Sequence, residues 1–194
     1  SIGGLKNLDG MGVLKNHIVL LEKDGGYLLW RREDPGGIPV SGQLFAQRKS
    51  ASVPSVFSST DQDLFVTRIP GDPLGLQWVD VSPEKPFSVS LDLPGRLPIR
   101  ATGITAVALS REGQFLAVIF HDENQNKHPF LYRVVNGDGR VSLENLGISY
   151  DVPEISEIEG HDKRLLSGQP FLHFDRQQGS LITYFTRKSI DNTV

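Results

Sequence analysis

The densest group of potential ligands in the chain is His121-Asp122-Glu123-Asn124, followed a few residues later by His128. Carboxylate and amide oxygens crowded into one loop are the donor set of a Ca²⁺ site. The loop lacks the alternating acidic spacing and the central glycine that let an acidic loop wrap a cation, so it also reads as a solvated connection between strands. His121 and His128 flank it and would suit zinc, but zinc needs a third and a fourth ligand that the sequence does not supply nearby. His121, Asp122, Glu123 and Asn124 are therefore weak metal candidates only. His161-Asp162 and His173 stand alone and read as hydrogen-bonded structural residues.

Other catalytic constellations are missing from the sequence. With no cysteine there is no thiolate nucleophile, no thiolate metal site and no disulfide framework. No Gly-x-Ser-x-Gly elbow occurs, and no glycine-rich phosphate loop precedes a helix. Asp24, Asp61 and Asp138 sit in turns beside Gly or polar residues. His17–Leu21 with Tyr27–Arg32 resembles the opening of a Nudix hydrolase, yet no Gly-x5-Glu-x7-Arg-Glu-x-x-Glu-Glu box follows and Pro35–Gly42 carries no carboxylate cluster for Mg²⁺. The sequence implies no cofactor and leans away from an enzyme.

Three large aromatics, Trp30, Trp78 and Tyr132, lie in apolar strands at comparable places. Two readings are open: packing between sheets, or anchors on the rim of a protein-binding face.

Charge is nearly balanced, with 20 Lys and Arg against 23 Asp and Glu, a net of -3. That offers no basic field for nucleic acid, and the aromatics are not interleaved with basic residues. The longest apolar runs are about six residues, too short to span a bilayer as helices. Ser1-Ile2-Gly3-Gly4 reads as a cut within a longer chain. The partner these features leave is another protein.

The elements that would position such residues centre on 103–147. Thr105–Ser110 (TAVALS) and Phe115–Phe120 (FLAVIF) are apolar runs joined by Arg111-Glu112-Gly113-Gln114, which predicts a hairpin. The runs are nearly continuous rather than alternating, as expected of strands buried on both faces. Pro129–Val135 predicts a third strand, Asn136-Gly137-Asp138-Gly139 a turn, and Val141–Leu143 a fourth strand. About 51 residues upstream the pattern recurs: Val53–Ser58, the Thr60–Asp63 turn, Leu64–Arg68, Leu76–Val81 and Phe87–Leu93, with Ser90-Leu91-Asp92 falling on Ser142-Leu143-Glu144.

His17–Glu22 with Tyr27–Arg32 predicts a further hairpin around Asp24-Gly25-Gly26. Leu5–Asn16 reads as a loose edge strand and Gln43–Gln47 as a short strand. Asp151–Leu166 predicts a short helix or turn, and 170–187 a last hairpin. The four hairpins near 17–32, 53–69, 104–121 and 170–187 read as equivalent starts of repeat units at about 1–50, 51–100, 101–147 and 148–194, the last of which ends halfway.

A four-stranded unit recurring every 40–50 residues or so is the pattern of a propeller blade. The hairpin AVALSREGQFLAVIF resembles the start of a WD-repeat blade, where an apolar strand, a Ser-x-x-Gly turn and a second apolar strand follow one another. The Trp-Asp dipeptide that closes such a blade is absent, and Val134-Val135 and Trp78-Val79 stand near its place. The expected fold is all-β, consecutive four-stranded antiparallel meanders, β-propeller-like, with a β-sandwich as the alternative. It is read as one domain over 1–194 or as a piece of a larger propeller. The resemblance implies a non-enzymatic protein-interaction module or scaffold. The alternatives are a loop-built hydrolase or small-ligand-binding propeller, and a structural component of a larger assembly.

Overall fold

In the computed structural model the described residues are 8–22, 25–34, 36–44, 56–69, 71–82, 87–91, 100–137, 140–146, 166–174 and 181–187. Every regular element among them is a strand. The first sheet is β1 (Leu8–Val13), β2 (His17–Glu22), β3 (Gly26–Arg31) and β4 (Val40–Gln43). The second is β5 (Val56–Ser58), β6 (Leu64–Arg68), β7 (Leu76–Asp80) and β8 (Phe87–Leu91). The third is β9 (Ala101–Leu109), β10 (Phe115–Asp122), β11 (Lys127–Gly137) and β12 (Arg140–Asn145). A fourth sheet holds the pair β13 (Leu166–Phe174) and β14 (Leu181–Arg187). Within each sheet the strands follow chain order and pair antiparallel, so the protein is all-β and built of consecutive meanders.

The strands form where the sequence is richest in β-branched and aromatic residues. They turn where a positive φ is needed. Gly113, at φ 73°, closes the β9–β10 turn, its N–H donating to the Ser110 carbonyl at 2.9 Å. The Ser110 hydroxyl accepts from the Phe115 N–H at 2.9 Å. Any side chain at position 113 would sit in the left-handed region that glycine occupies without strain.

Among the described residues three apolar layers lie between the sheets. Leu14, Val19 and Leu29 of the first unit meet Phe65, Val79 and Val81 of the second. The largest layer joins the second and third sheets through Leu64, Val66, Leu76 and Trp78 on one side and Leu116, Val118, Phe120 and Tyr132 on the other. The third is thin. Ala106, Ala108, Ala117 and Ile119 are packed on by Phe174 of β13. The sheets therefore stack face to face in chain order. The leading strands lie together, β1 beside β5, β5 beside β9 and β9 beside β13, while β8 meets β12.

Gly12 permits the first of these approaches. A Cβ there would lie 2.6 Å from Cγ1 of Val56 and 3.2 Å from Cβ of Ser58, both on β5.

The upstream echo holds in its first two strands. Val56 pairs with Thr67, and Val107 with Val118, so one shift of about 51 residues carries both pairs together. It fails in the fourth. Ser90-Leu91 does not superpose on Ser142-Leu143. Leu91 pairs with Leu76 on the second sheet's face toward the third, whereas Leu143 pairs with Val134 on the third sheet's face toward the second. The cause is a longer β11, which runs 11 residues against 5 for β7.

The hairpin at 17–32 is also not equivalent to those at 53–69 and 104–121. It is the central pair β2–β3, because Leu8–Val13 already supplies the leading strand. The strand expected at Gln43–Gln47 instead occupies Val40–Gln43, and 45–47 lie outside the described residues. The helix or turn expected over 151–166 also falls outside them, apart from Leu166, which opens β13.

Replacing Gly12 by Val should destabilise the protein by about 1–3 kcal/mol, the cost of forcing a β-branched side chain into a filled gap. The readout is a lower urea midpoint. An unchanged midpoint would show that β1 and β5 do not press together there.

Candidate functional site: a cleft at the turn end of the first two sheets

The turns that join the leading strand to the second strand lie side by side at one end of the stack. Lys15 N–H donates to the Gln62 carbonyl at 3.2 Å, and Asp61 N–H to the Arg111 carbonyl at 3.2 Å. The buried Ser59 hydroxyl also donates to the Arg111 carbonyl. Arg111 Nε pairs with Asp61 Oδ2 at 2.5 Å. A half-exposed ion pair of this kind contributes little alone. Beside backbone and hydroxyl contacts it fixes which turn meets which.

Asp63 is the centre of the first junction. It is buried, and its carboxylate takes three donors from the neighbouring sheet's turn. Oδ1 accepts the Asn16 backbone N–H at 2.7 Å, and Oδ2 accepts the Asn16 side-chain amide at 2.6 Å. His17 Nδ1 lies 3.0 Å from Oδ1. Burial pushes the Asp63 carboxyl up. The Asn16 backbone, His17 and Asn16 side-chain donors together outweigh it, so the group lies below the usual carboxylate value of 3.8. An ionised carboxylate only accepts, so the proton in the His17 contact sits on Nδ1.

Around this pair opens a cleft of about 920 Å³ between the first and second sheets. His17 and Arg31 face each other across β2 and β3, both on the cleft wall. Arg32 grips the β1–β2 turn, donating from Nη1 to the Leu14 and Lys15 carbonyls at 3.2 and 2.9 Å. Glu33 and Asp34 follow, so the wall carries both signs of charge. Its outer lip is apolar: Ile38 is 98% and Val40 55% exposed.

The cleft's polar floor is already satisfied. Both Asp63 oxygens are taken. Among the described lining residues Ser82 carries the one hydroxyl, and it donates to Asp80 Oδ1 at 2.6 Å rather than to His17. The arrangement orients a histidine: Asp63 and Ser82 are engaged within the protein, while the carboxylates of Glu33 and Asp34 stand on the wall.

The metal candidates of the sequence do not converge. His121 turns to Thr105, Nδ1 lying 3.0 Å from its hydroxyl, and its ring fills the space a Cβ at Gly103 would need. Asp122 organises the turn from β10 to β11. Its Oδ1 accepts the Asn124 and Asn126 N–H groups at 2.8 and 2.9 Å, and its Oδ2 accepts the Asn126 amide at 3.0 Å and meets His128 Nε2 at 3.1 Å. The His128 and Asn126 contacts hold its carboxyl down at about 2. Its oxygens are occupied by N–H donors, while Glu123 and Asn124 point to solvent. No group of three His, Asp or Glu among the described residues is placed to hold a metal.

Two of the three aromatic rim candidates are corrected outright. Trp78 and Tyr132 are 1% exposed within the layer between the second and third sheets. Nor do the three occupy like places. Trp30 pairs with Ile18 on the first sheet's outer face, Trp78 with Val66 facing the third sheet, and Tyr132 with Leu116 facing the second. Trp30 alone is partly open. The sequence passed over Asn16 and Asp63. The available signal was their separation of 47 residues, close to one repeat, which sets like turns of successive sheets side by side.

A scan against protein-family models finds no match, and a search of curated proteins finds none. Among solved structures, the crystal structure of the computationally designed Ika4 protein is similar at 15% identity over 95% of each chain, with a TM-score of 0.44. No helix among the described residues is long and apolar enough to cross a membrane.

Asp63→Asn should cost about 2 kcal/mol, because an amide cannot accept all three donors and leaves one unpaired. A depressed folded pKa means this contribution is present above about pH 4 and is lost as pH falls through the folded value. Urea unfolding should thus show a constant gap between wild type and variant from neutral pH to about pH 5, closing in stronger acid.

Tyr132→Phe should act in the opposite direction. The Tyr132 hydroxyl is buried without a hydrogen-bond partner among the described residues, and burial raises its pKa. Removing it should raise stability by about 1 kcal/mol, read as a higher urea midpoint.

Proposed function

We propose that this chain is a non-enzymatic protein-interaction module built on consecutive propeller-like blades, and that the cleft between its first two sheets receives the partner. Three features support the propeller-like reading over a two-layer sandwich. The four-stranded meanders follow one another in chain order, each packs on the next, and their leading strands gather together. The likeness of AVALSREGQFLAVIF to a WD-repeat hairpin agrees with this, since the segment forms the leading strand, turn and second strand of the third sheet.

The observation that carries the functional reading is the exposed pair Ile38 and Val40 on the lip of a cleft whose floor is internally satisfied. On the floor Asp63 and Ser82 are both engaged, which leaves the charges of Lys15, Arg31, Glu33 and Asp34 on the wall to meet a partner. Exposed apolar side chains beside Arg31, on a wall of mixed charge, suit a segment of protein carrying apolar and acidic residues.

The test is a photo-reactive phenylalanine analogue in place of Ile38, with one in place of Glu123 as a control at the other end of the stack. Irradiation in host extract should give a discrete protein adduct from position 38 that Arg31→Glu removes, and none from position 123. Identical adducts from both positions, or none from position 38, would refute the reading.

A further inference from the structure

His17 and Arg31 stand directly opposite each other on β2 and β3. The next pair on the same face is Val19 and Leu29, and Leu29 is in turn paired with Val40 of β4. Val19 and Leu29 pack on the second sheet, and alternation along the strands puts His17, Arg31 and Val40 on that same face. Opposed residues of an antiparallel pair hold their Cβ atoms about 4.5–5.5 Å apart. The cleft wall therefore carries a polar row, His17 and Arg31, beside an apolar row that ends at Val40. The rows are one two-residue step apart, about 7 Å.

Each member of the polar row keeps a nitrogen unused. The exposed Arg31 guanidinium has no hydrogen-bond or ion-pair partner among the described residues. His17 meets Asp63 through Nδ1, which leaves Nε2 as the free nitrogen of a ring that lines the cleft. The His17 side chain is 17% exposed and that of Asp63 6%, so a group entering the cleft meets the ring before the carboxylate behind it. The charged groups around the ring are Asp63 of the β5–β6 turn, Lys15 of the β1–β2 turn, Arg31, and Arg32, Glu33 and Asp34 at the end of β3 and beyond it. Of these, Asp63 is occupied by three donors and Arg32 by two carbonyls.

Such a row suits a carboxylate. A guanidinium donates to one in charge-assisted hydrogen bonds. An imidazole already donating from Nδ1 can donate again only with a proton on Nε2, since the bare nitrogen is an acceptor and repels a carboxylate oxygen. Seating a carboxylate on the row therefore draws a proton to Nε2. The apolar row beside it suits an alkyl group, because Val40 is 55% exposed. In an extended peptide, side chains two positions apart fall on one side at the same step of about 7 Å.

We propose that the cleft takes an extended partner segment with an acidic residue and, two positions on, a branched aliphatic one. The acidic carboxylate is held between Arg31 and a His17 protonated on both nitrogens, and the aliphatic side chain lies on Val40. This rests on the reading of the cleft as the partner site, and it gives the partner a sequence pattern and its binding a linked proton.

The test titrates acetyl-Glu-Ala-Leu-amide into the whole chain. At about pH 7.5, where an imidazole of ordinary basicity is largely uncharged, the peptide should move the His17 Nε2 resonance in ¹⁵N NMR from the unprotonated toward the protonated position. The calorimetric enthalpy should differ between HEPES and Tris buffers, as proton uptake requires. Acetyl-Gln-Ala-Leu-amide, which lacks the charge, should bind at least about tenfold more weakly, and so should acetyl-Glu-Leu-Ala-amide, whose alkyl group falls on the other side. Arg31→Gln, at an exposed position, should cost a similar factor with the circular dichroism unchanged. Equal binding of the Glu and Gln peptides, equal binding of the two spacings, a stationary His17 resonance or no binding at all overturns the proposal. If any of these occurs while position 38 still gives its protein adduct, the pattern fails and the cleft reading stands; without that adduct both fail.

Discussion

A sheet that is apolar on both faces cannot remain single in water, and this constraint governs the molecule. The second and third sheets are the clearest case. Phe65 and Val79 point one way from the second sheet, Val66 and Trp78 the other. Each such side chain, fully buried, contributes about 1.5–3 kcal/mol, and neither set can be buried without a neighbouring sheet on its own side. Stacking follows from composition before any particular contact is considered.

Stacking alone would let the sheets slide. What fixes their order is polar and lies at the turn end. The Asp63 carboxylate reads two donors of Asn16 together with His17, a pattern that a sheet shifted by one strand could not offer. The Ser59 hydroxyl and Asp61 do the same for the turn at Arg111. The hydrophobic effect is non-directional, whereas these hydrogen bonds are not. The cleft is a by-product of that junction, its floor shaped by groups occupied with holding two turns together.

The meanders were legible because FLAVIF, LFVTR and their turns carry composition and glycine at fixed offsets. The antiparallel order follows from short connections that leave no room for crossovers. Residue-level alignment of the repeats was legible only near the leading hairpin. Beyond it, hairpins of unequal length move Leu91 and Leu143 to opposite sheets of one interface, and a shift of one position turns a strand residue to the other face. The like placement expected of Trp30, Trp78 and Tyr132 fails for the same reason. Asp63 and Asn16 escaped notice because each looks like an ordinary turn residue. Their meaning appears only when two turns 47 positions apart are brought into contact. The acidic loop at Asp122 left two readings open, since a carboxylate that organises its own turn resembles in sequence one that waits for a cation.

The layer beyond the third sheet has a mechanical consequence. Its wall on the third sheet is built of Ala106, Ala108 and Ala117 beside Ile119, and the Phe174 ring packs against it. Ala117 is fully buried, and a close-packed interior has no room for added methylenes. A bulkier residue there would act as a wedge, prying β13 from the strands it rests on.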